Sequence, residues 1–88
     1  MTYFNLGVVH RARGYLEPAL RAYEYALTLA PNYAAAYQNI AVVLFKLGKL
    51  PESTRAFEKA IALVKNTNPA EGDRIRQGMK KLGLDKIS

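Results

Sequence analysis

The chain has a single histidine, His10, and no cysteine, so disulfides, thiolate metal sites and cysteine nucleophiles are excluded at once. Glu17, Glu24, Glu52 and Glu58 are scattered, with no H-E-x-x-H, no glycine-rich phosphate loop and no paired carboxylates converging on a cleft. His10 falls on the inner stripe of its segment and reads as a packed core imidazole, not a general base. What is left is noncovalent chemistry. Thirteen Lys and Arg against seven Asp and Glu give a formal +6, which favours acidic partners. The expectation is a noncatalytic binding protein with no cofactor and no metal.

Binding by apolar and basic side chains needs elements that hold them in register, and those elements repeat. At an offset of 34 residues, Tyr3 meets Tyr37, Asn5 meets Asn39, Val8 and Val9 meet Val42 and Val43, Gly14 meets Gly48, and Leu16 meets Leu50. Arg21, Ala22, Glu24, Ala26, Leu29 and Asn32 likewise meet Arg55, Ala56, Glu58, Ala60, Leu63 and Asn66. Such self-similarity at a fixed period marks a repeat architecture.

Within each unit the period is helical. Ala19, Tyr23, Ala26, Leu27 and Ala30 form one stripe on a helix over about Pro18 to Ala30, and Ser53, Phe57, Ala60, Ile61 and Val64 form its copy after Pro51. Proline suits a first helical turn, and Pro31 stops the first of these helices. Upstream helices run over about Thr2 to Arg13 and Tyr33 to Leu47, closed by Gly14 and Gly48. Asn68 and Pro69 open a fifth helix that reaches about Leu82 and is closed by Gly83. It matches the earlier first helices at an offset of 35 and carries Arg74, Arg76, Gln77, Lys80 and Lys81, as a polar cap would. At 88 residues this is one domain: repeat one 1–33, repeat two 34–67, capping helix 69–82, and a fraying tail 84–88.

A period of 34 with two helices per unit resembles the tetratricopeptide repeat. The matching residues are Tyr3, Leu6 and Gly7 in the first helix and Ala19, Tyr23, Ala26 and Pro31 in the second; His10 departs from the usual tyrosine. Repeat two follows with Tyr37, Ile40, Ala41, Leu44, Ser53, Phe57 and Ala60, and Lys65 replaces the closing proline. The resemblance implies an all-α, right-handed helical solenoid of two antiparallel helix-pair repeats plus a C-terminal capping helix, five helices in all. Gly7, Ala19 and Ala26 would let helix backbones approach, with Tyr3 and Tyr23 filling the space beside them.

The first helices carry more apolar surface than one interhelical seam requires. Phe4, Val8 and Arg11 form a stripe apart from Tyr3, Leu6 and His10; the corresponding stripes are Gln38, Val42 and Phe45, then Asp73, Gln77 and Lys80. The resemblance implies that these stripes line a concave groove that takes a peptide or partner helix. Phe4, Val8, Val42 and Phe45 would supply apolar contacts, and Gln38, Asn39, Asp73 and Gln77 polar ones. Arg11, Lys46, Lys80 and Lys81 would form a basic rim, so the expected ligand is amphipathic and partly acidic. A subclass of such repeats clamps terminal carboxylates with Lys and Asn. Asn39 and Arg74 match that clamp, but Phe4 and Val8 stand where Lys and Asn belong, so the clamp is incomplete.

Two other uses compete. In one, Phe4 and Val8 pack against an upstream repeat, since the first helix has no cap before it; in a self-association variant the same surface is buried against a second copy. RNA or another acidic polymer is disfavoured, because charge divides as +1, +3 and +2 over 1–33, 34–65 and 66–88, and the aromatics are not interleaved with the basic residues. No stretch approaches the about 20 apolar residues of a membrane span, and no leader is visible, so the expectation is a soluble, cytoplasmic protein.

Overall fold

A computed structural model describes residues 2–84. Thr2 Oγ1 accepts the Asn5 N–H at 3.1 Å and so starts α1, Tyr3–Ala12. It is followed by α2 (Leu16–Leu29), α3 (Ala34–Lys46), α4 (Leu50–Val64) and α5 (Pro69–Lys81), with no strand among the described residues. Asn68 caps α5 by accepting the Glu71 N–H at 3.3 Å. Each second helix starts ahead of the proline in its first turn. Helix α2 begins at Leu16 and α4 at Leu50, so Pro18 and Pro51 are the third and second residues of their helices, still where an N–H has no intrahelical partner.

The turns inside the two helix pairs are copies. Gly14 and Gly48 both adopt φ 81°, in the left-handed region. The Tyr15 N–H reaches back to the His10 carbonyl at 2.8 Å, and the Lys49 N–H to the Leu44 carbonyl at 2.9 Å. These bonds end each first helix and fold the second helix back beside it. Gly83 repeats the device after α5 with φ 78°.

Helices pack in chain order, α1 on α2, α2 on α3, α3 on α4 and α4 on α5, while α1 also touches α3. Chain-order stacking of like helix pairs is a helical repeat solenoid. The core joins Ala19 and Tyr23 of α2, Ile40, Ala41, Val43 and Leu44 of α3, Ala56, Phe57 and Ala60 of α4, and Ile75 and Met79 of α5. Gly7 is buried at the α1–α2 crossing. Ser53, which stands where repeat one has Ala19, donates its hydroxyl proton to the Ala41 carbonyl at 2.6 Å and is fully buried.

Three expectations change. Tyr3 does not fill space beside Gly7; it is 44% exposed and leans on Tyr25 with ring centroids 4.2 Å apart. His10 is half-buried beside Tyr15 rather than sealed in the core. Leu84, assigned to a fraying tail, is 1% exposed and joins Ile75 and Met79, because the left-handed Gly83 turns the chain inward immediately after α5. The rest of that tail, residues 85–88, lies outside the described residues.

Candidate interaction groove

Two of the first helices present the apolar stripe. Phe4 and Val8 on α1, and Val42 and Phe45 on α3, are all half-buried and rest on the core with part of each side chain still open. Phe4 packs its ring against Tyr23, with centroids 5.6 Å apart, and against Tyr33, at 4.8 Å. Its outward area is therefore shared with the α2–α3 linker, a neighbour that stripe geometry on α1 alone does not reveal. Arg11 is half-buried one turn beyond Val8, and its charge acts on the phenol of Tyr23.

The polar members of the stripe differ in how free they are. Gln38 and Asn39 are half-buried, and the Asn39 amide nitrogen is held by the Ala35 carbonyl at 2.7 Å. Lys46, Gln77, Lys80 and Lys81 are exposed. Asp73 is exposed and pairs with Arg76 at 3.6 Å, while Arg74 pairs with Glu71. Exposed pairs of this kind contribute at most a few tenths of a kcal/mol.

Asp73 and Lys80 line an open cleft of about 780 Å³ whose other wall is α4, through Thr54, Glu58 and Ile61, with Lys65 just past its end. Met79 and Leu84 contribute to its apolar lining. The basic rim therefore divides: Arg11 and Lys46 belong to the two first helices that carry the apolar stripe, whereas Lys80 stands over the α4–α5 cleft.

The largest exposed apolar side chains were not singled out by the periodicity. They are Tyr15, Tyr25, Leu29 and Tyr33, in addition to Tyr3. Tyr3, Phe4, Leu29 and Tyr33 line a second hollow, of about 460 Å³, at the repeat-one end of the stack. A signal for them existed in the mismatches between repeats. Tyr15, Tyr25 and Tyr33 face Lys49, Lys59 and Thr67 at the offset of 34, so repeat one is aromatic at three places where repeat two is polar.

Among the described residues no three His, Asp or Glu side chains stand close enough to hold a metal ion. No helix among them is long and apolar enough to cross a membrane.

Two family profiles, both described as the tetratricopeptide repeat, match the chain, one over residues 1–33 and the other over residues 34–71. The second match runs past the end of α4 into the first turn of α5. No curated protein matches the chain. Repeats of this kind generally mediate protein–protein interaction. With both helix pairs matched, and with glycine-closed turns and small-residue crossings in the expected places, the chain belongs to the tetratricopeptide repeat family.

Proposed function

We propose that this chain is a noncatalytic module that binds a peptide or partner helix along the stripe formed by α1 and α3. The observation that carries this reading is the incomplete burial of Phe4, Val8, Val42 and Phe45. Removing the remaining apolar area from water favours a ligand with apolar side chains at helical or extended spacing. Arg11 and Lys46 add positive charge beside that stripe, and Lys80 and Lys81 add it on α5, so the ligand is amphipathic and partly acidic. Gln38 and Asn39 are the polar contacts on α3, and a ligand long enough to reach α5 also meets Gln77 and Asp73. The packed second helices hold the first helices in place, which lowers the ordering cost of binding.

The test is calorimetric titration with two blocked peptides, one repeating Leu-Glu-Ala and one repeating Leu-Lys-Ala. The acidic peptide binds and the basic one does not. Val42→Glu, which places like charge in the stripe, weakens the acidic peptide about tenfold or more. Equal binding of both peptides, or of neither, sinks the proposal.

A second reading, self-association, is favoured by a different observation. Tyr3, Tyr25, Leu29 and Tyr33 are exposed together at the repeat-one end, and apolar patches of this kind mark interfaces.

A further inference from the structure

Tyr23 holds the one buried side-chain polar atom without a hydrogen-bond partner among the described residues. Its ring is 0% exposed and crosses α1 at Gly7, with Phe4 against it. Packing does not require the hydroxyl. At the same position of repeat two, Phe57 fills the core with a bare phenyl ring and is 2% exposed. Nor does this fold leave buried hydroxyls idle as a rule, since Ser53 donates to a carbonyl at 2.6 Å. An unmatched buried hydroxyl costs stability, so its place next to the proposed ligand surface is informative.

Arg11 supplies the second observation. It lies on the same α1 face as Phe4 and Gly7, near enough for its charge to act on the Tyr23 phenol, and it has no carboxylate partner among the described residues. The Tyr23 ring edge lies against Gly7, and Arg11 follows Gly7 by one turn of α1, so phenol and guanidinium belong to one face, and the phenol has no hydrogen-bond partner among the described residues. Two donors, one of them cationic, are complementary to a carboxylate.

We propose that Tyr23 and Arg11 form a two-donor site for a Glu or Asp side chain of the bound peptide, the hydroxyl donating to one carboxylate oxygen and the guanidinium to the other. The inference rests on the groove reading above and names the residue pair that would select acidic ligands. The hydroxyl is closed to solvent, so the proposal includes a rotamer change of the half-buried Phe4 or Arg11 on binding; side-chain rearrangements of this size are common at interfaces.

The experiment compares wild type, Tyr23→Phe and Arg11→Gln in titrations with the blocked Leu-Glu-Ala peptide and its Leu-Gln-Ala counterpart, alongside thermal melts. Tyr23→Phe is expected to melt at or above the wild-type temperature, to bind the Glu peptide about tenfold more weakly and to bind the Gln peptide unchanged. Arg11→Gln is expected to remove most of the preference for Glu over Gln. If Tyr23→Phe binds the Glu peptide as wild type does, or loses both peptides equally, the hydroxyl has no such role and the groove reading stands. If wild type binds neither peptide, the groove reading fails and this inference falls with it.

Discussion

A side-chain carbon built on Gly7 would stand 2.7 Å from Cε1 of Tyr23 and within 2.9 Å of two further ring carbons. The contact is with a ring fully enclosed in the core, not with the free end of a flexible chain, so it cannot relax cheaply. Gly7→Ala is therefore expected to lower stability by about 1–3 kcal/mol, read as a lower denaturation midpoint with the helical signal retained at low denaturant. Ala41 holds the corresponding place in repeat two and is itself buried. The cost at Gly7 thus comes from the Tyr23 ring, not from any general intolerance of alanine at that repeat position.

Much of this fold was legible because it is written twice. Gly14 and Gly48, and Tyr23 and Phe57, each point to the same local geometry, and the structure gives each pair the same place; Ala26 and Ala60 are both buried, but only Ala60 joins the central core. What the sequence did not disclose is which neighbour covers a given face. A helical stripe says that Phe4 and Val8 lie together, yet only the crossing of α1 over α2 and the path of the α2–α3 linker bring Tyr33 onto Phe4. The same limit explains Tyr3. Its periodicity suits the inner stripe, but in the folded chain it meets Tyr25 at the surface. Leu84 follows a glycine, and only the direction in which Gly83 turns makes it core.

Glycine at Gly78 and at Gly48 should respond oppositely to alanine. Gly78 lies inside α5, its φ is not positive, and a side-chain carbon there meets nothing within 4 Å. Gly78→Ala is expected to raise stability by roughly 0.5–1 kcal/mol by restricting the unfolded chain. Gly48 also has open space, but its φ of 81° disfavours any side chain. Gly48→Ala is expected to cost about 1–2 kcal/mol. Chemical denaturation of the two variants checks both signs; stabilisation by Gly48→Ala would contradict the left-handed turn.

Tyr23 links stability to alkaline pH. Burial raises its phenol above the ordinary 10.0, with the charge of Arg11 pulling it partly back. In the unfolded chain that phenol ionises near its ordinary value, while in the folded chain it keeps its proton to higher pH. Its contribution to stability is complete below pH 10.0 and is lost as pH rises from there through the folded-state value. Tyr23→Phe is expected to flatten this part of the stability profile. In absorbance titrations of the folded protein, the difference between wild type and variant is expected to rise above the usual phenol range. A difference curve centred at or below the ordinary value would show that the hydroxyl is not buried as described.

The aromatic end of repeat one, which adjoins the stripe proposed for peptides at Phe4, tests the self-association reading. Tyr25 is 49% exposed and Leu29 68% exposed, beside Tyr3 and Tyr33. Repeat two shows what the same positions look like when polar, since Lys59 and Thr67 replace Tyr25 and Tyr33. The double change Tyr25→Lys and Tyr33→Thr copies that polar pattern. Each ring contact it removes, Tyr3 with Tyr25 and Phe4 with Tyr33, is worth about 0.5–1.5 kcal/mol, so the variant is expected to stay folded but less stable. On the self-association reading, light scattering shows wild-type mass rising with concentration, with little dependence on salt because apolar contact drives it. The double variant then stays at the monomer mass over the same range. A wild-type mass that holds at the monomer value throughout removes self-association and leaves these four side chains to a partner of another sequence.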